Sequence, residues 1–176
     1  MSGTCQSVDL AAFSATRAAV GDDPTVGQGT FATVTTWEDG TRARTKARSF
    51  SIETDEPKPL GGTDRALDPM ELLLASLGTC LTIGWTTQAA KRGVDFRSLR
   101  IEVKGDYDLR GYLDVDDAVR PGFSRIDYTV DVDSDAPLAV LDEIRRAAER
   151  TSPMFDNVAN GAPITATVNH ESRVEL

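Results

Sequence analysis

The chain contains two cysteines, Cys5 and Cys80, and a cysteine thiolate is the most nucleophilic group that its side chains could supply. Cys80 lies in the charge-free stretch of residues 72–90, whereas Cys5 lies in an N-terminal stretch without a clear pattern. A cysteine in an arbitrary helix is usually a small apolar side chain, but its thiolate is a strong nucleophile. Only a small share of a free cysteine is ionised at neutral pH. A reactive Cys80 therefore requires a cation close to its sulfur.

The other side chains that could do chemistry give weaker signals. His170 is the sole histidine, so the sequence supports neither a Cys–His nucleophile pair nor a histidine-rich metal site. Asp114, Asp116 and Asp117 form an acidic loop without the spacing of an EF-hand, which indicates solvated carboxylates. We therefore expect no metal site.

The segment around Cys80 has strong signals for a long helix. Asp68 can cap free backbone N–H groups, Pro69 suits the first helical position, and Glu71 has the spacing of a capping box. Residues 91–93, two cations and a glycine, are typical of a helix C-terminus. These signals predict a helix of about 23 residues, roughly 35 Å long.

The absence of charge along this helix indicates how it is covered. A surface helix keeps a polar stripe, so a helix that is uncharged all round must be buried on every side. A membrane span is not expected, because six of residues 72–90 are Ser, Thr or Gln. Small residues that let another backbone approach closely are Ala75, Ser76, Gly78 and Gly84. We expect a second subunit to supply part of the cover, in an intertwined homodimer.

Alternating segments predict antiparallel strands on both sides of the long helix. Upstream, Phe31, Val34 and Trp37 lie among threonines, a turn follows at residues 39–40, and Phe50 and Ile52 alternate with polar neighbours. These segments predict an N-terminal β unit.

Two further strands are predicted downstream, at residues 99–104 and 126–133, and a last one at residues 164–168. Residues 137–150 predict an amphipathic helix. This order of elements predicts the α+β class. We assign residues 1–29 to an N-terminal arm or short helix and residues 30–176 to a single domain.

Charge and cysteine usage limit the possible partners and compartment. The formal net charge of −9 repels phosphate backbones and anionic lipid surfaces, so we expect neither nucleic acid nor membrane as a partner. Two cysteines do not make a disulfide framework, and the N-terminus has no basic-then-apolar signal segment. A reducing cytoplasm fits these features.

Five sequence blocks, in order, resemble the OsmC/Ohr family of hydroperoxide-handling proteins. The resemblance covers roughly residues 30–168. The blocks are residues 55–57 (DEP) with 60–62 (LGG), 68–80 (DPMELLLASLGTC), 89–93 (AAKRG), 105–111 (GDYDLRG) and 151–154 (TSPM).

The resemblance implies an OsmC-like fold, in which antiparallel sheets of two subunits wrap long central helices and the active site lies at the subunit interface. It also implies reduction of organic hydroperoxides or hydrogen peroxide by a reactive cysteine, which a second cysteine resolves. Small or protein-borne dithiols supply the electrons in that family, and no metal or bound cofactor is required.

The family's site residues can be carried over only in part. Cys80 matches the peroxidatic cysteine. The activating arginine comes from the N-terminal β unit, where Arg42 is the nearest match and Arg44 and Arg48 are rivals. As an alternative, each of these could be a solvated strand charge.

Two positions depart from the family pattern. The family's glutamate directly after the helix-starting proline is replaced by Met70, and Glu71 follows one residue later. We expect Glu71 to cap the helix, with orientation of the arginine as the alternative. Ser152 occupies the place of the resolving cysteine and cannot form a disulfide, while Cys5 could substitute only if the N-terminal arm reached the site.

Two functions remain open at this stage. The first is a thiol-dependent peroxidase that reduces organic hydroperoxides through Cys80 and needs an external thiol or dithiol. The second is a non-catalytic homodimer that binds a small apolar ligand at the subunit interface, with Trp85 as a residue that could line the pocket or simply pack in the core.

Overall fold

A computed structural model of the chain describes residues 7–170. Cys5, and the prediction that the N-terminal arm might bring it to the site, lie outside the described residues. The helices are α1 (Leu10–Asp22), α2 (Pro69–Ala90), α3 (Leu109–Tyr112), α4 (Leu138–Arg150) and α5 (Pro153–Asn160). The strands are β1 (Val34–Asp39), β2 (Arg42–Ala47), β3 (Phe50–Thr54), β4 (Ser98–Asp106) and β5 (Arg125–Asp133). The predicted α+β class is confirmed.

The strands form two separate antiparallel sheets. β1, β2 and β3 make one sheet in sequence order, and β4 and β5 make the other. In the first sheet the pairing register separates the side chains by charge, because successive residues of a strand point to opposite faces. The uncharged sheet face consists of Thr35, Trp37, Ala43, Thr45, Ala47, Phe50, Ile52 and Thr54. The opposite face carries the arginines, lysine and glutamates of the three strands.

The core lies where α2 and α4 pack against the β4–β5 sheet. Its buried side chains include Leu81 and Trp85 of α2, Ile144 of α4, and Phe96 from the connection before β4. At Gly84 the two helices approach so closely that an added Cβ would lie 3.1 Å from the Cβ of Ala148. The small residue at this crossing therefore sets the distance between α2 and α4.

The N-terminus of α2 begins as its sequence predicts. The Met70 N–H donates to Asp68 Oδ1 at 2.6 Å, and the Asp68 N–H donates to Glu71 Oε2 at 3.1 Å. Pro69 takes the first helical position. This capping box starts a 22-residue helix, which places Cys80 in its middle.

The loop that leads into α2 is organised around the buried carboxylate of Asp55. This carboxylate accepts hydrogen bonds from the Thr63 hydroxyl at 2.6 Å, the Thr41 hydroxyl at 2.7 Å, and the backbone N–H groups of Glu56, Thr63 and Arg65. Hydrogen bonds from the Thr63 hydroxyl and then the Thr41 hydroxyl contribute most to holding the pKa of Asp55 well below its usual range. One carboxylate thus joins the β1–β2 turn to the approach of α2.

One predicted strand is wrong, and the helices α3 and α5 were not predicted. Residues 161–170 have no regular secondary structure, so the strand predicted at residues 164–168 does not form within this chain. Its alternation is compatible with a strand, but no neighbouring strand of the described chain pairs with it. Conversely, the sequence predicts a helix over residues 137–150 and none after it, whereas α5 begins at Pro153.

No helix within residues 7–170 is long and apolar enough to cross a membrane.

We predict that Asp55→Asn lowers the melting temperature by several degrees at pH 7, because the amide cannot accept all five hydrogen bonds. The folded-state pKa of Asp55 is depressed, so its contribution is present above the unfolded carboxyl value of about 4 and is lost as the pH falls below it. The difference in melting temperature from the wild type should therefore narrow below about pH 4. Thermal unfolding followed by circular dichroism measures this, with exposed Asp117→Asn as the control. Equal melting temperatures of the Asp55→Asn variant and the wild type at pH 7 would contradict it.

Candidate functional site

Cys80 is half-buried on α2, on the side of the helix that meets α5. Its sulfur accepts a hydrogen bond from the Ser152 hydroxyl, with an Oγ–Sγ distance of 3.2 Å. Ser152 itself is only 4% exposed. The two positions, 72 residues apart in sequence, therefore form one partly buried contact between α2 and the start of α5.

Ser152 is also the N-cap of α5. Its Oγ accepts a hydrogen bond from the Phe155 N–H at 3.1 Å while its proton is directed to the sulfur of Cys80. The N-terminus of a helix carries partial positive charge, and this favours an anion placed beside it. The hydroxyl thus links the positive end of an eight-residue helix to the candidate nucleophile.

Sequence reasoning missed this use of a second helix. Cys80 lies about three turns into α2, beyond the first turn where the dipole of its own helix acts. The sequence does carry a signal for the start of this helix. Ser152 is a polar N-cap, Pro153 takes the first helical position, and Asp156 is an acid in the first turn.

The corner between α4 and α5 holds Ser152 in place. The Ser152 N–H donates to Glu149 O at 3.2 Å, and the Thr151 hydroxyl donates to Ala147 O at 2.8 Å. Gln88, which is buried on α2, donates a longer hydrogen bond to the Thr151 hydroxyl at 3.4 Å. These contacts tie the start of α5 to both α4 and α2.

The predicted arginines lie on the first sheet, away from Cys80 within one chain. The main contacts of α2 are with β4, α4 and α5 rather than with that sheet. Arg42 pairs with Glu38 at 3.1 Å, and Arg44 pairs with both Glu38 and Glu53 at 2.5 Å. Hydrogen bonds from Arg44 and then Arg42 lower the pKa of Glu38, and the bond to Glu38 raises the pKa of Arg44. Both side chains are thus engaged on the charged sheet face.

Arg48 is placed differently from the other two arginines. It occupies the β2–β3 turn with a left-handed backbone (φ 55°), and its guanidinium carbon lies 5.2 Å from the centre of the Phe50 ring. Phe50 belongs to the uncharged sheet face. Arg48 is therefore a cation at the margin of that face.

The carboxylates nearest to the start of α2 serve the helix terminus. The Glu71 carboxylate accepts a hydrogen bond from the Asp68 N–H. Glu71 lies nine residues before Cys80, which is a rise of roughly 13 to 14 Å along a straight helix. Glu56 lies beside Asp68, and its partial burial together with the neighbouring Asp68 carboxylate raises the pKa of Glu56. Neither carboxylate has a contact with the sulfur among residues 7–170.

Metal ligands do not cluster in the described part of the chain. Within residues 7–170 no group of three or more His, Cys, Asp or Glu side chains is close enough together to hold a metal ion. Cys80 is a free thiol in that part of the chain.

Trp85 packs in the core rather than beside the thiol. Its ring lies 6.0 Å from that of Phe96, centre to centre, and it is 3% exposed. Five residues separate it from Cys80, about 140° around the helix axis, so the two side chains lie on different faces of α2.

Comparison with known proteins identifies the relatives of this arrangement. The family described as OsmC-like protein matches residues 62–167, which include Cys80 and Ser152. No curated protein sequence matches the chain significantly.

Solved structures share the fold at low sequence identity. An OsmC-like protein from Mycoplasma pneumoniae superposes with a TM-score of 0.66 and 14% identity, over 76% of this chain and 89% of that one. An organic hydroperoxide resistance protein OsmC from Legionella pneumophila superposes with a TM-score of 0.55 and 12% identity. The match covers 76% of this chain and 93% of that one. An organic hydroperoxide resistance protein from Elizabethkingia anophelis superposes with a TM-score of 0.52 and 15% identity. The match covers 76% of this chain and 90% of that one. These similarities show the fold.

We predict that Ser152→Cys, made in a Cys5→Ser background, forms an intrachain disulfide with Cys80 after one equivalent of tert-butyl hydroperoxide. The wild-type Oγ–Sγ distance of 3.2 Å already places the two positions within reach of a bond. Mass spectrometry of the intact and digested protein measures the cross-link. The neighbouring Thr151→Cys variant is the control and should form no cross-link to Cys80, because the Thr151 hydroxyl faces Ala147 and Gln88. A Ser152→Cys protein that forms no cross-link would contradict the observed juxtaposition.

Proposed function

The chain belongs to the OsmC-like protein family, and from that premise we propose that it is a thiol-dependent peroxidase that reduces organic hydroperoxides through Cys80. The observation that carries the proposal is the hydrogen bond from Ser152 Oγ to Cys80 Sγ at the N-terminus of α5. A thiol that only fills space in a core does not need a donor aimed at its sulfur. Relatives of similar fold are organic hydroperoxide resistance proteins.

The proposed first step uses the thiolate of Cys80. The sulfur attacks the terminal oxygen of the hydroperoxide, the O–O bond breaks, and the alkoxide leaves and takes up a proton to become an alcohol. Cys80 is thereby oxidised by two electrons to a sulfenic acid. The Ser152 hydroxyl and the positive end of α5 stabilise the thiolate before the attack.

The proposed second step needs a thiol from outside the chain. Ser152 faces Cys80 but has no sulfur, so an external thiol attacks the sulfenic acid, forms a mixed disulfide and releases water. A second thiol, or the second sulfur of a dithiol, then breaks that disulfide and restores Cys80. Because this cycle requires reduced thiols, we propose the cytoplasm as its compartment.

A second copy of the chain is part of the proposed site. In the single chain the uncharged sheet face is open to water, with Trp37 at 71% and Phe50 at 64% exposure. Along α2 a charge-free stripe of Ala75, Thr79 and Ile83 is also exposed, and Ile83 reaches 61%. Contiguous exposed apolar side chains are typical of protein–protein contacts. An intertwined homodimer covers both the uncharged sheet face and the exposed stripe of α2.

The dimer would also bring a cation to the thiol. No arginine of the first sheet is in contact with Cys80 within residues 7–170, so the activating arginine would come from the other subunit. Arg42 is bound by one carboxylate, whereas Arg44 is bound by two, so Arg42 can exchange its partner more readily. Arg48 is the alternative, because it lies at the margin of the uncharged sheet face.

The second candidate function is a non-catalytic homodimer that binds a small apolar ligand at the subunit interface. Two observations favour it: Glu71 is used as a helix cap, and the arginines are engaged with carboxylates or an aromatic ring. Under this alternative the contact between Ser152 and Cys80 is structural. The reactivity of Cys80 distinguishes the two functions.

We predict that the wild-type protein consumes tert-butyl hydroperoxide with dithiothreitol as reductant, and that Cys80→Ser abolishes this activity. Ser152→Ala should retain activity but slow the oxidation step about fivefold, because a hydrogen bond is worth about 1 kcal/mol. Stopped-flow measurement of peroxide loss and mass spectrometry of the sulfenic acid follow the two steps. A wild-type rate no greater than that of Cys80→Ser would favour the non-catalytic alternative.

We predict a dimer in solution, with a mass twice the 19.0 kDa of the chain. Ile83→Glu places a charge in the α2 stripe and should shift the protein to monomer, because burying an unpaired carboxylate is costly. Multi-angle light scattering at micromolar concentration measures the mass. Val115→Glu is the matched control, since Val115 is 68% exposed outside both surfaces. A monomeric wild type would overturn the dimer.

A further inference from the structure

Three cations meet where α1 lies against the C-terminal end of α2. The Lys91 Nζ is 3.9 Å from the centre of the Phe13 ring, so this contact joins the two helices. Arg17 lies one turn after Phe13 on the same side of α1. Arg92 follows Lys91 directly in the chain. We call the side chains of Arg17, Lys91 and Arg92 the junction cations.

The junction cations have no carboxylate partner in the described part of the chain. Arg92 donates to the O and Oε1 atoms of Gln88 at 2.9 and 3.0 Å, and both acceptors are neutral. Neither Arg17 nor Lys91 forms an ion pair with any of residues 7–170. By contrast, every arginine of the strands is in an ion pair. The protein has a net charge of −9, so carboxylates are not scarce.

The junction cations repel one another. Burial, followed by the charges of Arg17 and then Arg92, lowers the pKa of Lys91. The negative C-terminal end of α2 and the face of the Phe13 ring offset part of this repulsion. A negatively charged group placed between the three cations would replace the repulsion with attraction.

The position of α1 on the molecule depends on this junction. None of its residues is buried, and its main contacts outside the helix are with the turn at residues 24–27. Isolated helices shorter than about 12–15 residues are marginal in water, and α1 has 13. An anion that bridges Arg17 to the end of α2 would therefore stabilise both the helix and its contact with α2.

From the unpaired cations and the exposed helix that they hold, we propose that the junction binds a soluble, multivalent oxyanion of the phosphate class, which fastens α1 to α2. Two guanidinium groups and an ammonium match the several oxygens of such an anion. A monovalent anion gains less from the junction and is repelled by the same net negative charge.

The proposed anion site is separate from the thiol. Lys91 lies eleven residues beyond Cys80, which is roughly 16 Å along a straight helix. The site does not use Cys80 and stands independently of the proposed peroxidase.

Hydrogen–deuterium exchange with inorganic pyrophosphate as the probe tests the proposal. Pyrophosphate should slow amide exchange in residues 10–22 and leave the exchange of α4 unchanged. Sodium acetate and sodium chloride at the same ionic strength should have no such effect, because a monovalent anion cannot bridge three cations and equal ionic strength removes differences in screening. Titration calorimetry measures the affinity.

Variants of the junction cations identify the site. Arg17→Gln and Lys91→Gln should each weaken pyrophosphate binding about fivefold, since each removes one exposed charge pair, and both should lose the protection of α1. Arg17→Lys keeps the charge and should retain most of the binding. Lys58→Gln is the matched control, because it removes the same charge from an exposed lysine outside the junction. Cys80→Ser should bind as the wild type does.

Three results would overturn the proposal. The first is α1 exchange that millimolar pyrophosphate leaves unchanged. The second is an equal loss of affinity in Lys58→Gln, which would show attraction to the whole surface instead of a site. The third is protection of α1 by vesicles of phosphatidylcholine and phosphatidic acid but not by pyrophosphate, which would assign the cations to a lipid headgroup.

Discussion

A helix of 22 residues with no charge between positions 72 and 90 cannot remain open to water, and the rest of the structure is arranged around covering it. The β4–β5 sheet, α4 and α5 cover part of α2, and the close crossing at Gly84 brings α4 against it. The stripe through Ile83 stays open in the single chain. The same lack of charge that makes α2 a good core element therefore leaves an uncharged, partly exposed stripe on the single chain.

This constraint also shapes the chemistry that Cys80 can perform. A sulfur in the middle of an uncharged helix receives no help from its own helix terminus, so polarity must come from other elements. α5 provides it, because its N-cap Ser152 directs a proton to the sulfur while accepting from the backbone of its own first turn. Serine makes this polar contact and has no sulfur with which to form a disulfide.

Many charged side chains of the described chain are paired with one another. The first sheet collects its arginines and glutamates on one face and leaves the other uncharged, and Asp55 is buried only because five donors surround it. On α4, Arg145 is likewise paired with Asp142 and Glu149. On the first sheet the paired charges lie on one face and leave the other face uncharged, and it is this uncharged face that we propose a second copy covers.

The sequence by itself determined the elements whose signals are local. Asp68, Pro69 and Glu71 fix the start of α2 through contacts within one turn, and alternation along residues 99–104 and 126–133 marks strands with one buried face. The family could also be recognised, because its blocks keep their order. The tertiary structure alone decided which distant residues meet: Ser152 lies against Cys80, Arg42 lies on a separate sheet, and residues 164–168 find no strand to pair with. Such contacts depend on how whole elements pack across tens of residues, and short-range patterns carry no information about that packing.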